Sequence, residues 1–392
     1  MIEPLFFLKI LFWILLFLIF YCYFGYPILI YLWAVILEKK VEKYKIEPTI
    51  SIIISAYNEE TYIAAKINNL LSLDYPSSKV EIIIGSDGST DKTNDIVGSY
   101  ISSSLSFYAF AQRRGKMATL NDLVKKAQNE ILIFNDVRQS LDKNTLHELV
   151  ANFYDLSVGC VSGELDFIPL QNLGGTATGI NFYWRYEKFL RACESQVYSM
   201  LGATGAIYAI RRELFTPIPQ NLVLDDMYIP LKIIQMGFRA IFDPSAKAYD
   251  RVADNPQEEH RRKVRTLYGN YQIFHFFLSL LNPLKSPIAV QFFSHKLLRV
   301  IMPFFLISLF LINFFIASQN LIFKFFLISQ IIFYLLALIG WYLRFNTNKV
   351  LKIVLRICYI PYVFCLLNFS AFIGFLKFIK NQQSVTWQKA SS

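Results

Sequence analysis

Two stretches of the chain, TISIIISAYNEE (49–60) and VEIIIGSDGSTD (80–91), share one layout. Each begins with a run of mainly β-branched apolar residues, which is typical of a strand buried on both faces of a parallel sheet. Each run then gives way to polar and acidic residues. Because ligands of such sheets bind beyond the carboxyl ends of the strands, these acidic segments are the first candidates for a binding site.

The surrounding sequence repeats the alternation of strand and helix. Apolar positions recur at helical spacing in three segments, and two further short apolar runs follow. The links between them are short, which favours an α/β fold with a mostly parallel sheet and helices on both faces. The predicted strands are 49–55, 80–85, 105–110 and 131–134, and the predicted helices are 61–73, 91–100 and 116–127.

Long charge-free segments at both ends of the chain predict transmembrane helices. Only 17% of the 392 residues are charged, against about 25% in an ordinary soluble domain. One segment that is long enough to span a bilayer lies before residue 38, and three lie after residue 299. We therefore expect four parts: a transmembrane helix (1–37), an α/β domain (38–270), interfacial amphipathic helices (271–299), and three transmembrane helices with a short tail (300–392).

The net charge of +10 comes from the membrane flanks rather than from a nucleic-acid-binding surface. Residues 38–299 hold 30 Lys and Arg against 28 Asp and Glu, a net charge of +2, and the flanks supply the remaining +8. Basic residues follow the first span (Lys39, Lys40, Lys43, Lys45) and fill 344–356, which predicts that both segments are cytoplasmic. The sequence thus predicts a multi-pass protein of the cell (inner) membrane whose α/β domain is cytoplasmic, with no nucleic-acid partner.

Several enzyme classes lack their motifs in this chain. It has neither GxGxxG nor GxxxxGK[ST], which argues against a Rossmann dehydrogenase and a P-loop NTPase. The five cysteines form no CxxC pair and the four histidines no HExxH helix, so zinc sites are not predicted. Carboxylates in place of a phosphate cradle suit a nucleotide whose diphosphate is held by a divalent cation.

These motifs together resemble the family 2 inverting glycosyltransferases, in the membrane-bound branch that includes cellulose, chitin, hyaluronan and poly-N-acetylglucosamine synthases. The resemblance implies a GT-A-type, Rossmann-like fold. It is carried by motifs in family order: SAYNEE (55–60), SDGSTD (86–91), GKMATLN (115–121), NDVR (135–138), GATGAIYAIRR (202–212), LDD (224–226) and HRRKVR (260–265).

The resemblance also implies roles for individual residues. On the donor side, Tyr57, Glu59 and Asp87 would hold uracil and ribose, and Lys116 would contact the donor's phosphate or ribose. At the reaction centre, Asp136 would bind Mg²⁺ or Mn²⁺ with the diphosphate, Asp226 would be the catalytic base with Asp225 as the second candidate, and Arg262 and Arg265 would neutralise the departing diphosphate. Glu164 is a candidate for the acceptor cleft.

Two positions depart from the family pattern. Arg138 stands where many relatives carry the second acidic residue of DxD, which leaves the cation with one protein ligand fewer. In the segment matching QxxRW, Arg262 replaces Gln and Thr266 replaces Trp. That Trp is a sugar-stacking platform in processive members, so the sequence leaves both chain elongation and single addition open.

The predicted function is the transfer of a sugar from a UDP-sugar to a growing glycan in extracellular polysaccharide synthesis, with synthase or export partners and contact with membrane lipids. One alternative is a single-addition transferase acting on a lipid-linked or polyprenyl-phosphate acceptor. Another is an inactive subunit that binds a nucleotide sugar. The acidic residues can also be explained by structure alone. Asp87 suits a turn before a helix, and Asp225 and Asp226 suit the first turn of a helix.

Overall fold

The computed structural model describes residues 4–168, 175–251, 256–343, 351–380 and 382. That part of the chain contains eight strands and thirteen α-helices. The strands are β1 (Ile50–Ala56), β2 (Val80–Asp87), β3 (Leu105–Phe110), β4 (Ile131–Phe134), β5 (Ser140–Leu141), β6 (Val158–Ile168), β7 (Tyr208–Arg211) and β8 (Arg239–Arg251).

The helices fall into a group around the sheet and a group of apolar helices near the two ends of the chain. The first group is α3 (Ile63–Leu71), α4 (Thr93–Gly98), α5 (Lys116–Val124), α6 (Thr145–Ala151), α7 (Gly175–Val197), α8 (Asp225–Gln235) and α9 (Pro256–Phe277). The second is α1 (Pro4–Phe20), α2 (Tyr26–Ile36), α10 (Ala289–Gln291), α11 (Leu298–Ile316), α12 (Leu321–Leu343) and α13 (Leu351–Ile379).

All eight strands form one sheet in the order β3-β2-β1-β4-β7-β6-β8-β5. The pairs β3/β2, β2/β1, β1/β4 and β6/β8 are parallel, whereas β7 runs antiparallel to β4 and β6, and β5 runs antiparallel to β8. The four predicted strands therefore occur as a parallel group. The prediction of a mostly parallel sheet did not include β7, whose antiparallel direction makes the sheet mixed.

Alternating side chains of the central strands build two separate cores, one on each face of the sheet. Ile53 and Ile83 face α5 and α8, and Ile52 and Ile84 face α3 and α6. Helices cover both faces, as the sequence predicts. Because β1, β2 and β4 are parallel neighbours, their carboxyl ends meet at one edge, where the segments that follow them lie side by side.

Among the described residues, four helices are long and apolar enough to cross a membrane: Leu5–Ile36, Ala289–Gln319, Leu321–Leu343 and Ile357–Ile379. The number agrees with the sequence prediction. The first is one continuous helix in which a π-helical turn, Tyr21–Gly25, joins α1 to α2. The basic loop at 344–350 lies outside the described residues.

The predicted interfacial helices at 271–299 are arranged differently from the prediction. Residues 271–277 continue α9, and the stretch 291–299, expected as a separate helix along the membrane surface, is the beginning of the long apolar helix. It includes a π-helical turn, Phe292–Leu297. Its polar residue His295 is buried among protein groups rather than turned outward, because carboxylates of α7 contact it.

The two-faced core predicts unequal costs for two similar substitutions. Ile52 is fully buried in β1, so Ile52→Ala leaves a cavity and is expected to lower the free energy of unfolding by about 2–5 kcal/mol. Ile101 is 59% exposed, and Ile101→Ala is expected to change it by about 0.5 kcal/mol or less. Thermal unfolding of the two purified variants measures the difference, and equal melting temperatures would contradict this packing.

Candidate active site

The segments after β1 and β2 are joined to each other by hydrogen bonds. The Asn58 N–H donates to Ser89 Oγ at 3.0 Å, and the Thr90 N–H donates to Asn58 Oδ1 at 2.8 Å. Asn58 adopts a φ of 51°, a conformation that Asn tolerates better than most residues. The structure thus brings the two predicted donor motifs into a single polar rim, which neither motif could establish alone.

Asp87, at the end of β2, organises the segment that precedes α5. Its two carboxylate oxygens accept the backbone N–H groups of Arg114 and Gly115, each at 2.8 Å. The following residue, Gly88, has a φ of 69°, and a Cβ there would lie 2.7 Å from the Arg113 nitrogen. The segment therefore crosses directly over the β2 turn and carries the Arg113 guanidinium to 3.8 Å from the centre of the Tyr57 ring.

Glu59 and Arg138 form an ion pair beside this rim. Arg138 Nε lies 3.3 Å from Glu59 Oε1, and the Glu59 carboxylate is buried. Arg138 occupies the position of the second acidic residue of DxD. Its partner in the structure is thus a carboxylate for which the family resemblance implies nucleotide binding.

Lys116, the first residue of α5, connects the two halves of the sheet. Its ammonium lies 3.0 Å from Asp136 Oδ1, beyond the end of β4, and 3.2 Å from Asp225 Oδ1, at the start of α8. Burial alone would lower the pKa of Lys116, but the two carboxylates raise it above its usual value. The Tyr208 hydroxyl donates to Asp225 Oδ2 at 3.1 Å, so both oxygens of buried Asp225 are engaged within the protein.

Asp226 is placed differently from its neighbour. Its Oδ2 accepts the Gly205 N–H at 3.2 Å. A Cβ on Gly205 would lie 3.4 Å from Asp136 Oδ2 and 3.5 Å from Asp226 Oδ2, so these two carboxylates flank the same glycine. Burial and the adjacent Asp225 charge raise the pKa of the Asp226 carboxyl to about 6, against the opposing effect of Lys116.

The arginines of α9 approach the carboxylates from another side. Burial lowers the pKa of the Arg265 guanidinium, whereas Asp225, Asp136 and Asp226 act on it in the opposite direction. Arg262, one turn earlier, is exposed and close enough to Arg265 for the two charges to repel. The structure therefore brings Arg265 to the carboxylate group and leaves Arg262 at its solvent side.

Glu164 lies on β6 in an ion-pair cluster of its own. Lys188 of α7 contacts Glu164 Oε1 at 2.6 Å and Asp166 Oδ1 at 2.5 Å, and Lys247 lies 3.4 Å from Asp166 Oδ2. The structure accordingly gives Glu164 a cationic protein partner. Its assignment to an acceptor cleft stays a prediction.

The carboxylates fit a divalent cation only in combination with a ligand. Among the described residues no group of three or more His, Cys, Asp or Glu side chains is arranged to hold a metal ion. Asp136 and Asp226, however, each present an oxygen to the space beside Gly205 that a Cβ would occupy. Hard cations such as Mg²⁺ commonly combine one or two carboxylates with substrate phosphates, and this pair suits that mode.

Two residues near the site were missed by the sequence analysis. Lys66 is 2% exposed and donates from Nζ to the Gln139 carbonyl oxygen at 2.5 Å, within the electrostatic influence of Asp136. The sequence signal for Lys66 was a cationic residue among the apolar positions of α3. Arg191 of α7 acts electrostatically on Asp226. The sequence offers no comparable signal for Arg191, because only the tertiary fold brings α7 to this carboxylate.

The comparisons with known proteins agree with this geometry. Residues 51–216 match the family model "Glycosyl transferase family 2". The chain is 24% identical over 301 residues to a probable glycosyltransferase, YdaM, of Bacillus subtilis, covering 72% of this chain and 67% of the relative. It is 23% identical over 259 residues to the poly-beta-1,6-N-acetyl-D-glucosamine synthase of Staphylococcus aureus, covering 62% of this chain but only 60% of that synthase.

A solved structure has the same fold over nearly the whole chain. It is the mannosyltransferase PcManGT from Pyrobaculum calidifontis, determined with GDP-Man and Mn²⁺, and its TM-score is 0.72 at 22% identity. The similarity covers 95% of this chain and 100% of the other. The fold is of the GT-A type, and the protein is a glycosyltransferase. Its residues 51–216 form a glycosyltransferase family 2 domain.

The geometry of Asp87 predicts a loss of stability on amide substitution. In the wild type, two backbone N–H groups donate to the Asp87 carboxylate. In Asp87→Asn the amide NH₂ must face one of these N–H groups, which loses its acceptor. Leaving one buried group unsatisfied costs about 1–3 kcal/mol. Thermal unfolding should register this loss. The matched change Asp95→Asn, at an exposed acid of α4, should leave stability nearly unchanged, and an equal effect of both would refute the assigned contacts.

Buried Lys66 predicts a pH dependence of stability. Burial lowers the pKa of Lys66 to about 7, below its value in the unfolded chain. Between pH 7 and about 10 the unfolded state binds more protons, so this group makes stability rise with pH across that window. Lys66→Met should remove the rise, as measured by denaturant titration at pH 7, 8 and 9. Unchanged slopes in the variant would show that Lys66 is not the group responsible.

Proposed function

We propose that the protein is a membrane-bound inverting glycosyltransferase that transfers a sugar from a UDP-sugar to a growing glycan, as in extracellular polysaccharide synthesis. The observation that carries the proposal is the pair of carboxylates around Gly205, one with its pKa raised to about 6. The apolar helices would anchor a cytoplasmic catalytic domain, approximately residues 38–270, at the cell membrane.

Asp226 is the proposed catalytic base. Displacement at an anomeric carbon requires removal of the proton from the acceptor hydroxyl, and a base is most effective when its pKa approaches the working pH. The raised pKa of Asp226 meets this requirement, whereas Asp225 is committed to Lys116 and Tyr208. One direct displacement without a covalent intermediate inverts the anomeric configuration.

Lys116, Arg262 and Arg265 would stabilise the charge of the leaving nucleoside diphosphate. Lys116 is fixed between Asp136 and Asp225, and Arg265 lies within the influence of the same carboxylates. Asp136 would hold a divalent cation together with the diphosphate, and that cation would supply Lewis-acid stabilisation of the leaving group. The Mn²⁺ in the structurally similar mannosyltransferase supports a divalent cation here.

The rim formed by the segments after β1 and β2 is the proposed donor site. The Tyr57 ring, with Arg113 stacked on it, offers a flat surface for a base, and Glu59 and Asp87 lie beside it at the strand ends. The preference for a uracil base follows from the family resemblance. The similar mannosyltransferase was solved with GDP-Man, so guanine donors belong in the test.

A single-addition transferase with a lipid-linked acceptor is the second candidate. Thr266 replaces the stacking Trp of QxxRW and is exposed, hydrogen bonding to the Arg262 carbonyl oxygen of its own helix. Thr266 therefore does not provide the stacking platform for a sugar chain that the Trp would provide. The name of the Staphylococcus aureus relative supports polysaccharide synthesis instead, and product size separates the two candidates.

Nucleotide release from a panel of UDP- and GDP-sugars, with Mn²⁺ or Mg²⁺, tests the proposal. We expect one donor to be turned over by the full-length protein, and chelator or Asp226→Asn to reduce the rate at least about a hundredfold, because general-base catalysis contributes that much. The matched variant Asp95→Asn should keep full activity. Donor binding without turnover in the wild type would instead support the inactive-subunit alternative.

The pKa of Asp226 also predicts the pH profile. The base must be ionised, so the rate should rise about tenfold per pH unit below pH 6 and level off above it. Lys116 lowers this pKa, and Lys116→Met should therefore move the rise to higher pH. Initial rates between pH 4.5 and 8.5 measure both curves, and a profile that Lys116→Met leaves in place would argue against Asp226 as the titrating base.

A further inference from the structure

The loop that leads into α8 is irregular in structure and is buried over part of its length. It comprises residues 215–224, of which Ile218 and Leu222 are buried. Backbone N–H and C=O groups that are buried outside helices and strands need hydrogen-bond partners from other parts of the protein. The partners of this loop therefore decide where the two acids at the start of α8 lie.

Two side-chain amides are partners of this loop, one from each of the helices that bring cations to the site. Asn121 of α5 donates from Nδ2 to the Ile218 carbonyl oxygen and accepts the Ile218 N–H at Oδ1, both at 2.8 Å. Gln272 of α9 donates from Nε2 to the Asn221 carbonyl oxygen at 2.8 Å and accepts the Val223 N–H at 3.1 Å. Because each amide uses both its donor and its acceptor, neither a carboxylate nor an alkyl group of similar size can replace it.

One face of α9 contacts both this loop and the acids that follow it. Arg265, Gly269 and Gln272 are spaced by four and three residues, which places them on one side of a helix. A Cβ on Gly269 would lie 2.5 Å from Leu224 Cγ, so a side chain there would push Leu224 away. The same face of α9 therefore holds the residue that precedes Asp225 and carries a cation to the carboxylates.

The apolar helices hold α9 from another side. The Tyr271 hydroxyl donates to the carbonyl oxygen of Val300, in α11, at 2.9 Å. A Cβ on Gly374 of α13 would lie 3.1 Å from the backbone nitrogen of Tyr268, so α9 and α13 approach each other closely. Because α9 is packed against these helices, the hydrogen bonds of Gln272 tie the loop to a fixed element.

We propose that Asn121 and Gln272 are positioning residues that act on the reaction through Asp226. Their amides tie the loop to α5, which begins with Lys116, and to α9. The loop then places the first turn of α8 so that Asp225 lies 3.2 Å from the Lys116 ammonium, with Asp226 next to it. The proposal deepens the proposed function and rests on it, because it names the residues that set the base in place.

Rates of nucleotide release by the full-length protein test the positioning role, with the UDP- or GDP-sugar that the wild type turns over. Gln272→Met and Asn121→Leu remove the amide and keep the size of the side chain. We expect each to lower kcat about tenfold or more, because misplacing a catalytic group by about 1 Å costs about a hundredfold. The KM of the donor should stay nearly unchanged, since neither amide contacts the rim after β1 and β2.

The pH profile gives a second measure of the position of the base. A loop that is released from α5 and α9 moves the acids away from Lys116, whose charge lowers the pKa of Asp226. The rise of the rate should therefore move to higher pH in both variants, in the direction expected for Lys116→Met. Wild-type kcat and an unshifted profile in both variants would overturn the proposal.

Asn69→Leu is the matched control. Asn69 of α3 pairs in the same way with the backbone of Leu141, at 3.0 and 2.8 Å, but Leu141 belongs to the edge strand β5. The melting temperature should fall as in the other two variants, whereas kcat and the pH profile should match the wild type. A loss of kcat as large as that in Gln272→Met would reveal a general effect of lowered stability and would overturn the positioning role.

Hydrogen–deuterium exchange of residues 218–226 examines the amide contacts without turnover. We expect faster exchange of this segment in Gln272→Met and Asn121→Leu, and not in Asn69→Leu, because the released loop opens locally. Unchanged exchange in both variants would overturn the proposal whether or not the protein is active. A wild type that turns over no donor, with a segment that opens as expected in both variants, would contradict the proposed function and not the amide contacts.

Discussion

The ammonium of Lys116 between Asp136 and Asp225 is the interaction on which the site depends. Asp136 follows β4 of the parallel strands, and Asp225 begins α8, beyond the strand β7 that reverses the sheet. Without the Lys116 ammonium, the carboxylates of half-buried Asp136 and buried Asp225 would face each other, with Asp226 adjacent to both. Like charges at such distances repel one another, so Lys116 offsets the repulsion and opposes the rise in the pKa of Asp226.

The same arrangement gives two successive acids different environments. Asp225 and Asp226 are neighbours in the first turn of α8, where a helix dipole favours negative charge at either position. The difference comes from their partners. Tyr208 and Lys116 engage both oxygens of Asp225, whereas Asp226 receives one backbone N–H from Gly205 and keeps a raised pKa. Sequence alone could choose between them only through the family resemblance.

The sequence predicted the parallel strands well because their signals are local. In β3 and β4 the predicted boundaries agree with the structure, since apolar runs bounded by polar turns define them. The second half of the sheet has no such simple signal: β7 is four residues long and pairs antiparallel with β4, far back in the chain. The environments of Lys66 and Arg191 are set by the same long-range packing, so they could not be deduced from spacing.

The connection between α7 and the apolar helices has a consequence for how the catalytic domain meets the membrane. Buried ionic contacts that lose one partner are strongly destabilising, so His295, Glu187 and Glu194 oppose any displacement of α7 from the helix at 289–319. Arg191 lies on that fixed segment and acts on Asp226. The fold rather than a linker therefore sets the distance between Asp226 and the helix at 289–319. Under the proposed function, an acceptor held by the apolar helices would have to bring its hydroxyl to Asp226 over this fixed distance.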